Sequence, residues 1–177
     1  MPPRRYIILA AAALLVAFVS YQAIFKWPAE KQVLAKQEKF IASIESRKWG
    51  RVRRLTADEY QDSLGLDHDG LQLALKDAGS QFWTRFELNW EMSELRREGD
   101  AIVITGTIRV DGEGGPLVPY VIREARPFAG SPFTFRWSKT GAAPWSWQLE
   151  SIHHPDASLP DGYRPGDIRR RTGFGEF

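Results

Sequence analysis

The residues best suited to move a proton in this chain are Asp58, Tyr60 and His68, with His153 much further on. Acid–base chemistry needs a proton acceptor within hydrogen-bond reach of the substrate and a second group to stabilise developing charge. Asp58-Glu59-Tyr60 closes a short helical stretch, where a pocket mouth can lie, and His68 follows nearby. The same triplet equally suits solvent-facing acids and a tyrosine packed over a core. Asp58, Tyr60 and His68 are therefore pocket candidates, and whether they catalyse anything stays open.

Metal and phosphate chemistry find less support. His153-His154-Pro155 ends a predicted strand, and adjacent strand residues point to opposite faces, so the two imidazoles do not readily share an ion. No ligand spacing elsewhere supplies a third donor. Asp67-His-Asp69-Gly70 has the composition of a calcium loop. An EF-hand, however, needs glycine at its sixth position and a bidentate glutamate at its twelfth, whereas glycine is fourth here and Ala78 is twelfth. Gly112, Gly114 and Gly115 flank acids in a predicted turn, with no helix expected after them, which is no phosphate loop. Cysteine is absent, which excludes disulfides, thiolate metal sites and a cysteine nucleophile. No metal and no cofactor is expected.

The aromatic residues offer a different chemistry. Phe82, Phe86, Trp90, Phe133, Phe135, Trp137, Trp145 and Trp147 all fall on predicted strands. They either fill a core or line a cavity that suits an apolar molecule. Trp90, Phe135, Trp137 and Trp147 are the ligand-binding candidates on the second reading. Trp83, on the other face of its strand, is a candidate anchor for a partner protein.

These side chains need elements to hold them. Val33, Leu34, Phe40, Ile41 and Ile44 recur near helical spacing between Lys31 and Trp49, with Gln37 in the one gap of the stripe. Gly50 interrupts, and Trp49, Val52 and Leu55 mark a second, short helix with Arg51, Arg53 and Arg54 facing outward. A third is expected from about Asp69 to Ser80. From Phe82 to Met92 apolar and polar residues alternate, the pattern of a half-buried antiparallel strand. Further strands are expected at Ala101–Val110, Leu117–Arg126, Phe133–Lys139 and Trp145–His153, joined by short turns. Three helices followed by consecutive strands make an α+β domain with a meander sheet. Beyond Pro155 the chain is rich in proline, glycine and charge, and is expected to be an extended or disordered tail, 156–177.

The N-terminus places all of this. Arg4 and Arg5 close a short tail, 1–5, and Tyr6 to Phe25 is an uncharged apolar run. Twenty helical residues span roughly 30 Å, the thickness of a bilayer's hydrocarbon core. A cleaved signal peptide is the rival, but its apolar part is shorter and ends in small residues, whereas Tyr21, Ile24 and Phe25 are bulky. Trp27 then suits the interface. The expectation is a single-pass anchor in the inner membrane, N-terminus in the cytoplasm and domain outside, although Lys26, Lys31, Lys36 and Lys39 pull the other way. From Lys26 onward the chain carries 22 basic and 22 acidic residues, which is no signature of nucleic-acid binding. Lys26–Thr56 has nine basic residues against three acidic ones, a stretch that suits anionic headgroups or simply a solvated helix face.

KFIASIESRKWGRVRRLTADEY is similar to the opening helix pair of the nuclear-transport-factor-2-like (NTF2-like, or SnoaL-like) superfamily, and WSWQLESIHHP is similar to its last strand. The resemblance covers about residues 30–155. It implies an NTF2-like cone, N-terminal helices packed on a curved antiparallel sheet, with a pocket at the open end. An anchor followed by such a domain also resembles the plan of type IV secretion inner-membrane assembly subunits. The expected role is a non-catalytic interaction or assembly module with a protein partner or a second copy. The alternative is an enzyme or carrier for a small apolar molecule in the cone.

Overall fold

The computed structural model describes residues 12–18, 20–21, 28–126, 130–143, 145–159 and 162–168. Helix α1, Ala29–Glu45, buries Val33, Gln37, Phe40, Ile41 and Ile44, so the stripe seen in the sequence is the face it lays on the sheet. Gln37 belongs to that face for a polar reason: its Oε1 accepts the indole N–H of Trp137 at 2.9 Å in the buried core. Arg47, with φ of 53°, turns the chain into α2, Trp49–Leu55. Helix α3, His68–Gly79, starts from Asp67, whose side chain accepts the Gly70 N–H at 2.7 Å.

Four strands follow: β1 Arg85–Glu98, β2 Ala101–Glu113, β3 Phe133–Lys139 and β4 Trp147–His153. They form one sheet in the order β1-β2-β3-β4, every neighbouring pair antiparallel. Register shifts at Met92/Glu94 and Arg136/Trp137 are the bulges that bend such a sheet around its helices. Gly106 lets β1 close in, because a Cβ there would lie 2.4 Å from the Glu91 carbonyl oxygen and 2.5 Å from the Trp90 ring. Residues 57–63 run along β4, with Ala57, Gln61 and Ser63 donating to the carbonyls of Leu149, Glu150 and Ile152. Phe40 meets Phe135 and Trp137 edge-on at 6.5 and 6.3 Å, which ties α1 to the concave side.

One expectation needs correction. Leu117–Arg126 is not a strand: Val118–Ala125 is a helix, α4, inserted between β2 and β3. Its valines and isoleucine favour strands, but Pro119 cannot donate to a ladder and fits the first turn of a helix. Val118, Val121, Ile122 and Ala125 then share the inner side. In the stretch expected to be an extended or disordered tail, the described residues Tyr163, Gly166 and Ile168 bond to α3.

The expected anchor lies mostly outside the described residues, as do Arg4, Arg5 and Trp27. Its described parts, 12–18 and 20–21, are helical, with Leu14, Leu15, Val16 and Phe18 exposed. Among the described residues no helix is long and apolar enough to cross a membrane.

Candidate functional site: an apolar cavity in the cone

Between α1, α3, α4 and the concave side of the sheet lies a half-open cavity of about 630 Å³. Phe40, Ile41 and Ile44 of α1 form its floor, and Leu71, Ala74, Leu75 and Ala78 of α3 one wall. The sheet contributes Phe86, Leu88, Ile108, Val110, Phe133, Phe135 and Ile152, while α4 closes the far side with Val121 and Ala125. These walls follow from local patterns: the apolar stripe of α1, a like stripe of Leu71, Ala74, Leu75 and Ala78 on α3, and the inward-facing positions of alternating strands. The volume falls within the range that small-molecule sites occupy.

Polar groups are few, and most are already engaged. Asp62 Oδ1 accepts the N–H groups of Leu64 and Leu66 at 2.9 and 2.8 Å, and Oδ2 accepts the Tyr60 hydroxyl at 3.2 Å. His154 is buried against the Phe133 ring, centroids 4.5 Å apart. Its Nδ1 accepts the Asp156 N–H at 3.1 Å, so the ring proton sits on Nε2, which donates to the Ser131 carbonyl at 3.0 Å. Both nitrogens are therefore used in holding a loop. Asp62, Glu124 and Asp167 line the cavity, and no Lys or Arg is among the described residues that do.

The residues singled out in the sequence fall in several places. Asp58 is exposed, its carboxylate 3.8 Å from Nδ1 of His68. His68 is buried and its Nε2 lies 3.2 Å from the Arg53 carbonyl oxygen, so it ties α3 to α2. Tyr60 is buried, and burial followed by the neighbouring Asp62 charge pushes its pKa well above the usual tyrosine value of 10.0. None of the three lines the cavity, although Tyr60 reaches it through Asp62. Of the aromatic candidates, Phe135 lines the cavity. Trp137 and Trp147 are packed in the core, and Trp90 stands behind Phe135, ring centroids 5.2 Å apart. His153 is exposed.

Asp62, α4 and the segment around Tyr163 are not marked as site elements by the sequence pattern. Asp62 carried one signal, its place two residues after Tyr60 in an Asp-Ser-Leu-Gly turn. Among the described residues no group of three or more His, Asp or Glu is placed to hold a metal ion.

No family model matches the chain. No curated protein matches it either. Solved structures do. Bd1075 of Bdellovibrio bacteriovorus aligns with TM-score 0.51 at 8% identity, over 69% of this chain and 38% of that one, so this chain spans well under half of Bd1075. A candidate aromatic ring hydroxylase of Novosphingobium aromaticivorans aligns with TM-score 0.51 at 11% identity, over 71% of this chain and 88% of that one. An NTF2-like protein of Cytophaga hutchinsonii aligns with TM-score 0.45 at 13% identity, over 68% of this chain and 92% of that one. At such identities the likeness is one of fold. Helices leading into a curved four-stranded antiparallel sheet fit the NTF2-like cone.

Proposed function

We propose that this protein holds a small apolar molecule in its cone without transforming it, as a carrier or sensor tethered beside a membrane. The observation that carries the reading is the 630 Å³ cavity, walled by aliphatic and phenylalanine side chains at the open end of the fold. At roughly 30 Å³ per water-sized atom it holds about 20 heavy atoms. Among the described lining residues the charged ones are carboxylates, Asp62, Glu124 and Asp167, which favours a neutral or cationic head over an anionic one. The non-catalytic part of the reading draws on His154 and Asp62, whose polar atoms are spent within the fold.

Titration calorimetry with dodecylamine, dodecanol and dodecanoate tests this directly. The amine and alcohol are expected to bind at least tenfold more tightly than the carboxylate. Equal or tighter binding of the carboxylate overturns the charge argument, and no binding of any of the three overturns the carrier reading.

The tether is the apolar run Tyr6–Phe25, with Arg4 and Arg5 kept in the cytoplasm and the domain outside the inner membrane. The exposed Leu14, Leu15, Val16 and Phe18 support it, because a water-facing helix this apolar is costly. Resistance of the full chain to alkaline carbonate extraction is the expected result, and release into the soluble fraction overturns the tether. A role in assembly rests on Trp83 and Trp145, 58% and 59% exposed. Crosslinking placed at Trp83 should then capture a second copy or another protein.

A further inference from the structure

We propose that Tyr163–Ile168 is a latched strap over the cavity, with the Asp77 carboxylate as its catch. Asp77 lies on α3 with no exposed surface, an expensive place for a carboxylate unless donors surround it. The strap supplies three of them to one oxygen. Asp77 Oδ2 accepts the Tyr163 hydroxyl at 3.0 Å, the Gly166 N–H at 2.7 Å and the Ile168 N–H at 3.4 Å. Charge-assisted bonds of this kind are the stronger class, and lifting the strap removes all three together.

The strap is built for that position. Gly166 has φ of +93°, a left-handed conformation that a side chain would strain, and it is the residue whose N–H makes the shortest bond to the carboxylate. Gly162, with φ of +71°, begins the segment in the same region of backbone space. Between them Tyr163 lines the cavity while its hydroxyl donates to Asp77. Asp167 and Ile168 line the same wall. One side of the cavity is therefore made of chain held by a polar catch, whereas most of the remaining lining comes from the helices and strands of the core and the 62–66 loop. Release of the strap widens the opening of the cavity and speeds entry of a ligand, and a bound ligand that packs on Tyr163 and Ile168 favours the latched state.

The inference rests on the cavity being the ligand site, and its test separates the two. The full chain and its Asp77→Ala variant are compared by hydrogen-exchange mass spectrometry and by stopped-flow binding of the neutral dye Nile red. The expected result is at least tenfold faster exchange of the Gly166 and Ile168 amides in the variant, with α1 and β2 still protected, and faster dye association. Tyr163→Phe removes one donor only. Should Asp77→Ala fail to fold, Tyr163→Phe is expected to shift both readouts the same way by a few-fold. Strap amides that exchange equally fast in both proteins overturn the latch. Faster exchange with unchanged dye association overturns the gate alone. Dye binding to neither protein overturns the cavity reading, and the gate with it.

Discussion

The two ends of the cone are made from the same elements and finished differently. At the closed end Trp137, Trp147 and Leu149 leave at most 1% of their surfaces exposed, and even the polar Gln37 is absorbed by the Trp137 indole. At the open end the same helices and strands present Ile108, Leu75 and Phe133, which are half-buried and face empty space. Side chains are almost wholly buried around Trp137 and Leu149, and packing stops short where α4 and the strap line the cavity. The difference teaches that stability and binding reside in separate parts of one fold, and substitutions should divide along that line.

The largest effect is expected from Trp137→Ala, which empties a fully buried site and should cost about 3–5 kcal/mol in urea unfolding. A loss under about 1 kcal/mol would mean that the closed end is not the stabilising half. Gln37→Leu should come next. It strands the Trp137 N–H and should cost about 1–2 kcal/mol, partly offset because Gln37 Nε2 has no partner of its own. At the open end Ala74→Phe should change stability by no more than about 1 kcal/mol, because the added ring enters open space rather than a filled core. The same variant should weaken dodecylamine binding at least tenfold, and undiminished binding would place the ligand elsewhere.

The smallest effect is one of pH. Tyr60 and Tyr163 both have pKa values raised above 10.0, chiefly by burial and then by Asp62 and Asp77 respectively. The folded state therefore holds each phenolic proton more tightly than the unfolded chain does. That contribution is complete below about pH 10 and is lost as pH rises beyond it. Tyr60→Phe should flatten the fall in stability above pH 10, whereas an unchanged alkaline slope would show that this phenol does not govern it.

Much of the closed end was legible in the sequence and little of the open end was. The α1 stripe, the alternation along β1 and the run Phe133–Lys139 each report burial on one face, and periodicity is a local signal. Gln37 looked like a gap in a stripe because its partner is one hundred residues away. Leu117–Arg126 read as a strand because β-branched residues outweighed Pro119, the one residue that spoke for a helix start. Asp77 carries no local mark at all, for its donors come from a segment whose composition suggests a solvated tail. The cavity is the hardest feature to foresee. Aromatic strands suit a filled cone and an empty one alike, so Trp90, Trp137 and Trp147 could not be told from Phe135 by residue type.

Residues 57–63 shield β4, which leaves β1 as the uncovered margin of the described sheet. Glu45 already takes the Leu88 N–H there at 2.8 Å, and Glu87, Glu91, Glu94, Arg96 and Arg97 stud the strand with charge. Such a margin resists recruiting another chain into a growing fibril. Neutralising those charges is the change most apt to turn this protein into a template for aggregation.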